Sequence, residues 1–426
     1  MPRVASTAAA SAGGRTTTLA IKKRQCLRGV DTGGARRLLG KDAAEMLKTG
    51  TVQLRPLRWL AWRGVWPRPA ATLTFGQQQL AGEMDPYKYL KIRFNPDGSL
   101  VRYGEAPLIP ASPAGEPITV AATNAEDTDD EPARRRIVVV HSNDVPLNAA
   151  TGTSLRLYVP SSSAAAARRN NNHHRLPLII YFHGGGYVLF RASSAPFHAT
   201  CASLAAATPA SVASVDYRLA PEHRLPAAFD DAADAVRWAA AHRRGRPVFV
   251  MGSHNGASIA LRAALAAGDQ GVALRGLVLN QPHAGGTRRT PAEEASVDDR
   301  VLPLPANDLL WDLALPVGAD RDHQFCNEGA MLATVGEARL RRLPPCLVLG
   351  RRKDPPRDRT RRLVEALREA GVDVEARLDG AGYHAMELFK DNCAAEFIAQ
   401  VADFVRRRSA DADDDQAGDV VGVSKL

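Results

Sequence analysis

Two histidines, an aspartate and a run of glycines carry the chemistry this sequence can offer. The stretch VFVMGSHNGASIALRAAL, residues 248–265, reads as a strand that enters a tight turn and leaves as a helix. The turn holds Gly252, Ser253, His254, Asn255 and Gly256. Small residues flank such a turn because its central side chain must project from a strained backbone while strand and helix pack closely. Upstream, His183-Gly184-Gly185-Gly186 follows the apolar run LPLIIYF. Consecutive glycines can aim backbone N–H groups at a developing oxyanion. Downstream, Asp354 follows PPCLVLG, and His384 stands in DGAGYHAMELF after VDVEARL. A carboxylate that orients a histidine, itself a general base, is the machinery of acyl transfer. One part is absent: the apex of the turn, where a hydroxyl would attack, is His254.

The elements that must position these residues alternate along the chain. LPLIIYF, ASVASVDYRL, PVFVMGS, LRGLVLNQP, PPCLVLG and VDVEARL read as strands. FHATCASLAAAT, AAFDDAADAVRWAAAH, GASIALRAALAAG and DRTRRLVEALREAG read as helices. Strand–helix alternation predicts an α/β fold with a mostly parallel central sheet and helices on both faces. Each chemical candidate then lies just past a strand's carboxyl end, where open α/β sheets bind ligands. Further upstream, YLKIRFNPDGSLVRY reads as two short strands about a turn at Asn95-Pro96-Asp97-Gly98. Two polar stretches, 123–136 and 161–175, lie between strand candidates and read as loop inserts.

Composition narrows the function classes. The formal charge is +9, but residues 1–82 hold 14 Lys and Arg against 3 Asp and Glu, and the rest hold 41 against 43. A near-neutral body argues against a nucleic-acid surface, and no apolar run is long enough to span a bilayer. Residues 1–82 lack helical or strand periodicity and read as a disordered extension, with a composition that also suits a transit peptide or a wrongly extended gene model. The five cysteines (Cys26, Cys201, Cys326, Cys346 and Cys393) show no CxxC spacing and read as free thiols. No metal or cofactor is expected. His254, His384 and Asp354 could form a zinc-like donor set only if the aspartate stood beside the histidines rather than behind one of them.

Residues from about 85 to 408 resemble a plant carboxylesterase of the hormone-sensitive-lipase-like branch of α/β hydrolases. The resemblance rests on DVPLNAATGTSLRLYVP, LIIYFHGGGYVLF, VASVDYRLAPEHRLPAAFDDA, LPVGADRDHQFCN and GYHAMELF. It implies an α/β-hydrolase domain over 83–408 with a small N-terminal cap; the acidic, polar composition of 409–426 reads as a disordered tail. It also implies that Gly184, Gly185 and the N–H of Asn255 form an oxyanion hole, with His384 as general base and Asp354 as its orienting acid. The family's nucleophile is the serine of Gly-Asp-Ser-Ala-Gly-Gly or Gly-Ser-Ser-Ala-Gly-Gly. His254 stands at that serine, Asn255 at the following alanine and Ala257 at the last glycine.

An imidazole offers no alkoxide and no serine-type proton relay, so the resemblance leads to an expectation of impaired ester hydrolysis with a retained pocket. That pocket would take a small ester or a hormone-like ligand, as the related gibberellin receptors do. The alternatives are an active carboxylesterase with an atypical nucleophile and a decaying copy without function. Ser253 precedes the apex and Ser258 lies a turn into the helix, so neither is placed to attack. The final Ser424-Lys425-Leu426 matches the peroxisomal import tripeptide and implies an import receptor as partner. Cytoplasm and plastid are the other locations considered.

Overall fold

A computed structural model describes residues 84–121, 135–161, 176–208, 210–243 and 245–422. The extension 1–82, most of both polar inserts and Ser424-Lys425-Leu426 lie outside the described residues. Helix α1 (Pro86–Leu90) begins at Asp85, whose carboxylate accepts from the N–H groups of Tyr87 and Lys88. It leads into an antiparallel hairpin of β1 (Ile92–Phe94) and β2 (Leu100–Arg102). The Gly98 N–H donates to the Asn95 carbonyl across the turn at 2.9 Å, at the position read from the sequence.

The main sheet contains β3 (Glu116–Ala121), β4 (Arg135–Asn148), β5 (Thr153–Pro160), β6 (Leu178–Phe182), β7 (Ser211–Asp216) and β8 (Val248–Ser253). It continues with β9 (Gly276–Asn280), β10 (Cys346–Lys353) and β11 (Val374–Tyr383). The spatial order of these nine strands is β11-β10-β9-β8-β6-β7-β5-β4-β3. Strands β6 to β11 pair in parallel, while β3, β4 and β5 form an antiparallel edge joined to β7. Parallel strands need crossovers, and helices supply them. Helix α2 (Ala195–Ala207) links β6 to β7, α3 (Ala227–His242) links β7 to β8, and α4 (Asn255–Asp269) links β8 to β9. Four short or medium helices lie between β9 and β10: α5 (Pro291–Glu294), α6 (Leu304–Ala314), α7 (Glu328–Val335) and α8 (Glu337–Leu340). Helix α9 (Arg357–Glu369) links β10 to β11, and α10 (Asp391–Gly422) ends the described chain.

Strand parity divides the core between the two faces. Leu178, Ile180 and Phe182 of β6 join the cluster containing Val236 of α3 and Ile259 of α4. Ile179 and Tyr181 join the opposite cluster with Phe197 of α2 and Val401 and Phe404 of α10. A strand buried on both sides has no polar face, which is why LIIYF reads as unbroken apolar sequence.

Two boundaries differ from the sequence reading. Arg135 and Arg136, read as part of a loop insert, begin β4 and pair with Ala121 and Val120. An antiparallel strand near a sheet edge can turn one face to water, so charged residues do not exclude it. The backbone of α10 is helical through Gly422, into the segment read as a disordered tail. Packing of Phe397, Val401 and Phe404 supplies the costly nucleus, and extension from it is cheap. Cys201, Cys326, Cys346 and Cys393 are buried free thiols. Among the described residues, no helix is long and apolar enough to cross a membrane.

Candidate active site

The turn from β8 into α4 places His254 at its apex with φ 60° and ψ −123°. A non-glycine residue holds such a conformation at a cost of about 1–3 kcal/mol. Backbone bonds maintain it: His254 N–H donates to the Asn280 carbonyl at 2.8 Å, and Ala257 N–H donates to the His254 carbonyl at 3.0 Å. Glycine is required on both sides of the apex by close approach. A Cβ on Gly252 would lie 1.9 Å from the Gly256 carbonyl oxygen, and one on Gly256 would lie 2.1 Å from that of Phe182. Ser253 is buried, and its hydroxyl accepts from Tyr181 Oη at 3.1 Å and from Asn280 Nδ2 at 3.3 Å. Ser258 Oγ donates to the His283 carbonyl at 2.7 Å. Both hydroxyls are hydrogen-bonded to neighbouring elements.

His384 and Asp354 meet as read from the sequence. His384 Nδ1 is 2.7 Å from Asp354 Oδ1, and both residues are buried. Burial alone would lower the His384 pKa, but the adjacent Asp354 charge and hydrogen bond outweigh it and hold the imidazole above its ordinary value. The His254 and His384 rings lie 4.6 Å apart, centroid to centroid, with 51° between their planes.

His254 has a carboxylate of its own. Its Nε2 is 3.2 Å from Glu387 Oε1, on a 3-10 turn (Met386–Leu388) immediately after His384. Asn280 Nδ2 donates to the same oxygen at 2.7 Å, and Gln281 Nε2 donates to Glu387 Oε2 at 2.9 Å. Burial opposes the Glu387 charge, yet the His254 contact and the surrounding donors overcome it and hold the carboxyl at about 2. Burial lowers the His254 pKa, outweighing the raising effect of the Glu387 hydrogen bond and charge. The sequence reading did not single out Glu387, Asn280 or Gln281. The one signal for Glu387 was an acidic residue set within the otherwise apolar stretch AMELF.

The glycine loop lies against the apex of the β8–α4 turn. Gly185 and Gly186 adopt φ values of 125° and 63°, which turn the chain sharply after β6. Gly186 N–H donates to Asn255 Oδ1 at 2.8 Å, and Asn255 Nδ2 donates to Tyr217 Oη at 3.1 Å. Tyr217 Oη in turn donates to the His183 carbonyl at 2.9 Å. The Asn255 side chain therefore braces the loop, a role beyond the backbone N–H assigned from the sequence. Gly184 packs directly on the apex residue: a Cβ there would lie 2.4 Å from His254 Nδ1.

These groups close the polar end of a pocket with about 590 Å³ of open space. Leu90 of α1, Leu189, Phe190, Phe197, Leu310 and Leu388 supply much of its apolar wall. His283 completes the polar end, with Nε2 2.6 Å from Asn307 Oδ1 and its ring stacked on Trp311 at 4.7 Å. Burial lowers its pKa to about 3 and keeps it neutral. Among the described residues, no group of three or more His, Cys, Asp or Glu is arranged to hold a metal ion.

Comparison with known proteins agrees with this architecture. A family model described as the alpha/beta hydrolase fold matches residues 179–388. The chain is 36% identical over 347 residues to probable carboxylesterase 8 of Arabidopsis thaliana, covering 76% of this chain and 95% of that protein. It is also 36% identical over 198 residues to the gibberellin receptor GID1 of Oryza sativa subsp. japonica, covering 44% of this chain and 55% of the receptor. Among solved structures, the hyperthermophilic esterase of the archaeon Pyrobaculum calidifontis superposes with a TM-score of 0.54 at 26% identity, over 63% of this chain and 83% of that one. The chain belongs to the plant carboxylesterases of the hormone-sensitive-lipase-like branch of the α/β hydrolases, a family related to the gibberellin receptors.

Proposed function

We propose that this chain is a carboxylesterase relative in which His254 takes the place of the nucleophilic serine. On this reading ester hydrolysis is impaired, and the pocket binds a small ester or hormone-like molecule. The observation that carries it is the setting of the apex imidazole. Its Nε2 is directed to Glu387 rather than to His384, and its Nδ1 lies against Gly184 of the oxyanion loop. A serine hydrolase needs a hydroxyl at the apex whose proton passes to the base, followed by an acyl-enzyme that water cleaves. Here no hydroxyl stands at the apex, and the ring fills space beside the loop that would receive the carbonyl oxygen. Loss of a triad member leaves at most roughly 10³–10⁴-fold acceleration over water, from the oxyanion hole and binding alone, and a ring packed against Gly184 lowers that ceiling.

The retained His384–Asp354 pair favours a second reading, an active carboxylesterase with an atypical nucleophile. One experiment separates the two. Hydrolysis of p-nitrophenyl acetate by the native protein is expected near background, and His254→Ser is expected to raise it by at least about 10²-fold. Ordinary esterase turnover by the native protein, together with fluorophosphonate labelling, would establish the second reading instead.

A further inference from the structure

We propose that Glu387 is a positioning residue that clamps the His254 imidazole against the oxyanion loop. This rests on the reading of His254 given above. Glu387 is 3% exposed, and a carboxylate so deeply buried persists only where donors surround it. The donors come from two elements: Asn280 ends β9, Gln281 follows it, and His254 is the apex of the turn after β8. Gln281 is itself held in place, since its Oε1 accepts the Ala385 N–H at 3.0 Å and its backbone takes φ 48°. A serine at position 254 would be too short to reach this carboxylate and would leave one of its oxygens without its histidine partner.

The clamp determines which imidazole nitrogen does what. With Glu387 accepting from Nε2–H, the proton resides on Nε2 and the lone pair on Nδ1, the atom that packs on Gly184. The site thus contains two histidine–carboxylate pairs, His384 with Asp354 and His254 with Glu387, whose rings lie tilted against each other 4.6 Å apart. Glu387 also acts on the second pair through space. His384 is faced by Asp354 beyond β10, by Asp299 from the loop before α6, by Glu387 on the adjoining 3-10 turn, and by the rings of His254 and His283. The charges of Asp354, Asp299 and Glu387 all favour its protonated form.

The test is a histidine ¹⁵N NMR titration of the full chain, native against Glu387→Gln. Native His254 is expected to show the Nε2–H tautomer wherever its ring is neutral. In Glu387→Gln that preference is expected to weaken, and the His384 midpoint to fall by about half a pH unit or more as one negative charge is lost. Glu387→Asp, one methylene shorter, is expected to keep the His384 midpoint high while releasing the His254 tautomer, and it serves if the glutamine variant does not fold. A kinetic arm uses His254→Ser with and without Glu387→Gln. His384 is a base only when neutral, so a lower midpoint raises the neutral fraction near pH 6, and the double variant is expected to hydrolyse p-nitrophenyl acetate about 3-fold faster there. Unchanged tautomer and unchanged midpoint in both Glu387 variants would overturn the proposal. A purely structural glutamate would lower stability and move neither signal. If both serine variants are inactive at every pH, the reading of a restorable esterase fails, while the NMR arm still decides the role of Glu387.

Discussion

Gly184 illustrates how far one atom's space decides the site. Its backbone conformation suits any residue, but a methyl group there would press into His254 Nδ1 at 2.4 Å and Cγ at 3.1 Å. Gly184→Ala is therefore expected to destabilise the native protein by about 1–3 kcal/mol, the usual cost of overpacking. The same substitution in a His254→Ser background is expected to cost less, because the obstructing ring is gone. Urea denaturation of the four proteins in the cycle measures the coupling, and additive effects would show that the ring does not press on the loop. At this scale His254, Asp354, His384 and the glycine loop were legible in the sequence, because each follows a recognisable strand and the motifs come in a fixed chain order. Glu387 was not, since its meaning depends on burial against Asn280 and His254, which lie more than a hundred residues away.

The crossover between β9 and β10 is pinned by a buried ion pair. Arg359 of α9 places Nε 2.6 Å from Glu293 Oε1 and Nη2 3.0 Å from Glu293 Oε2, with Glu328 Oε2 of α7 3.6 Å from Nη1. Glu293 also closes the capping box of α5, accepting the Thr290 N–H at 2.9 Å. One glutamate thus links a helix start to the helix that follows Asp354. Arg359→Met would strand a buried carboxylate and is expected to cost about 3–5 kcal/mol in a denaturation experiment. Adding Glu293→Gln is expected to recover part of that loss, and a cost below about 1 kcal/mol for Arg359→Met alone would contradict it. The strand–helix alternation that builds the parallel half of the sheet was visible in the apolar runs. The start of β4 was not, because Arg135 and Arg136 carry a loop-like composition while the backbone pairs with β3. Hydrophobic periodicity reports buried faces, and it is silent where a strand turns its side chains to water.

For the molecule as a whole, the excess positive charge resides in residues 1–82, and the remainder is close to neutral. Peroxisomal delivery through Ser424-Lys425-Leu426 is our proposal for its location. A fluorescent reporter carrying residues 391–426 is expected to collect in peroxisomes and to disperse when Leu426 is removed; dispersal of both forms would refute it. Within the domain, the conformation of the apex is secured by backbone bonds to Asn280 and from Ala257, and by glycines at 252 and 256. None of these depends on which side chain stands at 254. The backbone of the turn can therefore carry more than one side chain at its apex. The geometry of the turn is thus a property of the backbone and its glycines, and the chemistry at its apex is set separately, by the side chain at 254 and the groups that surround it.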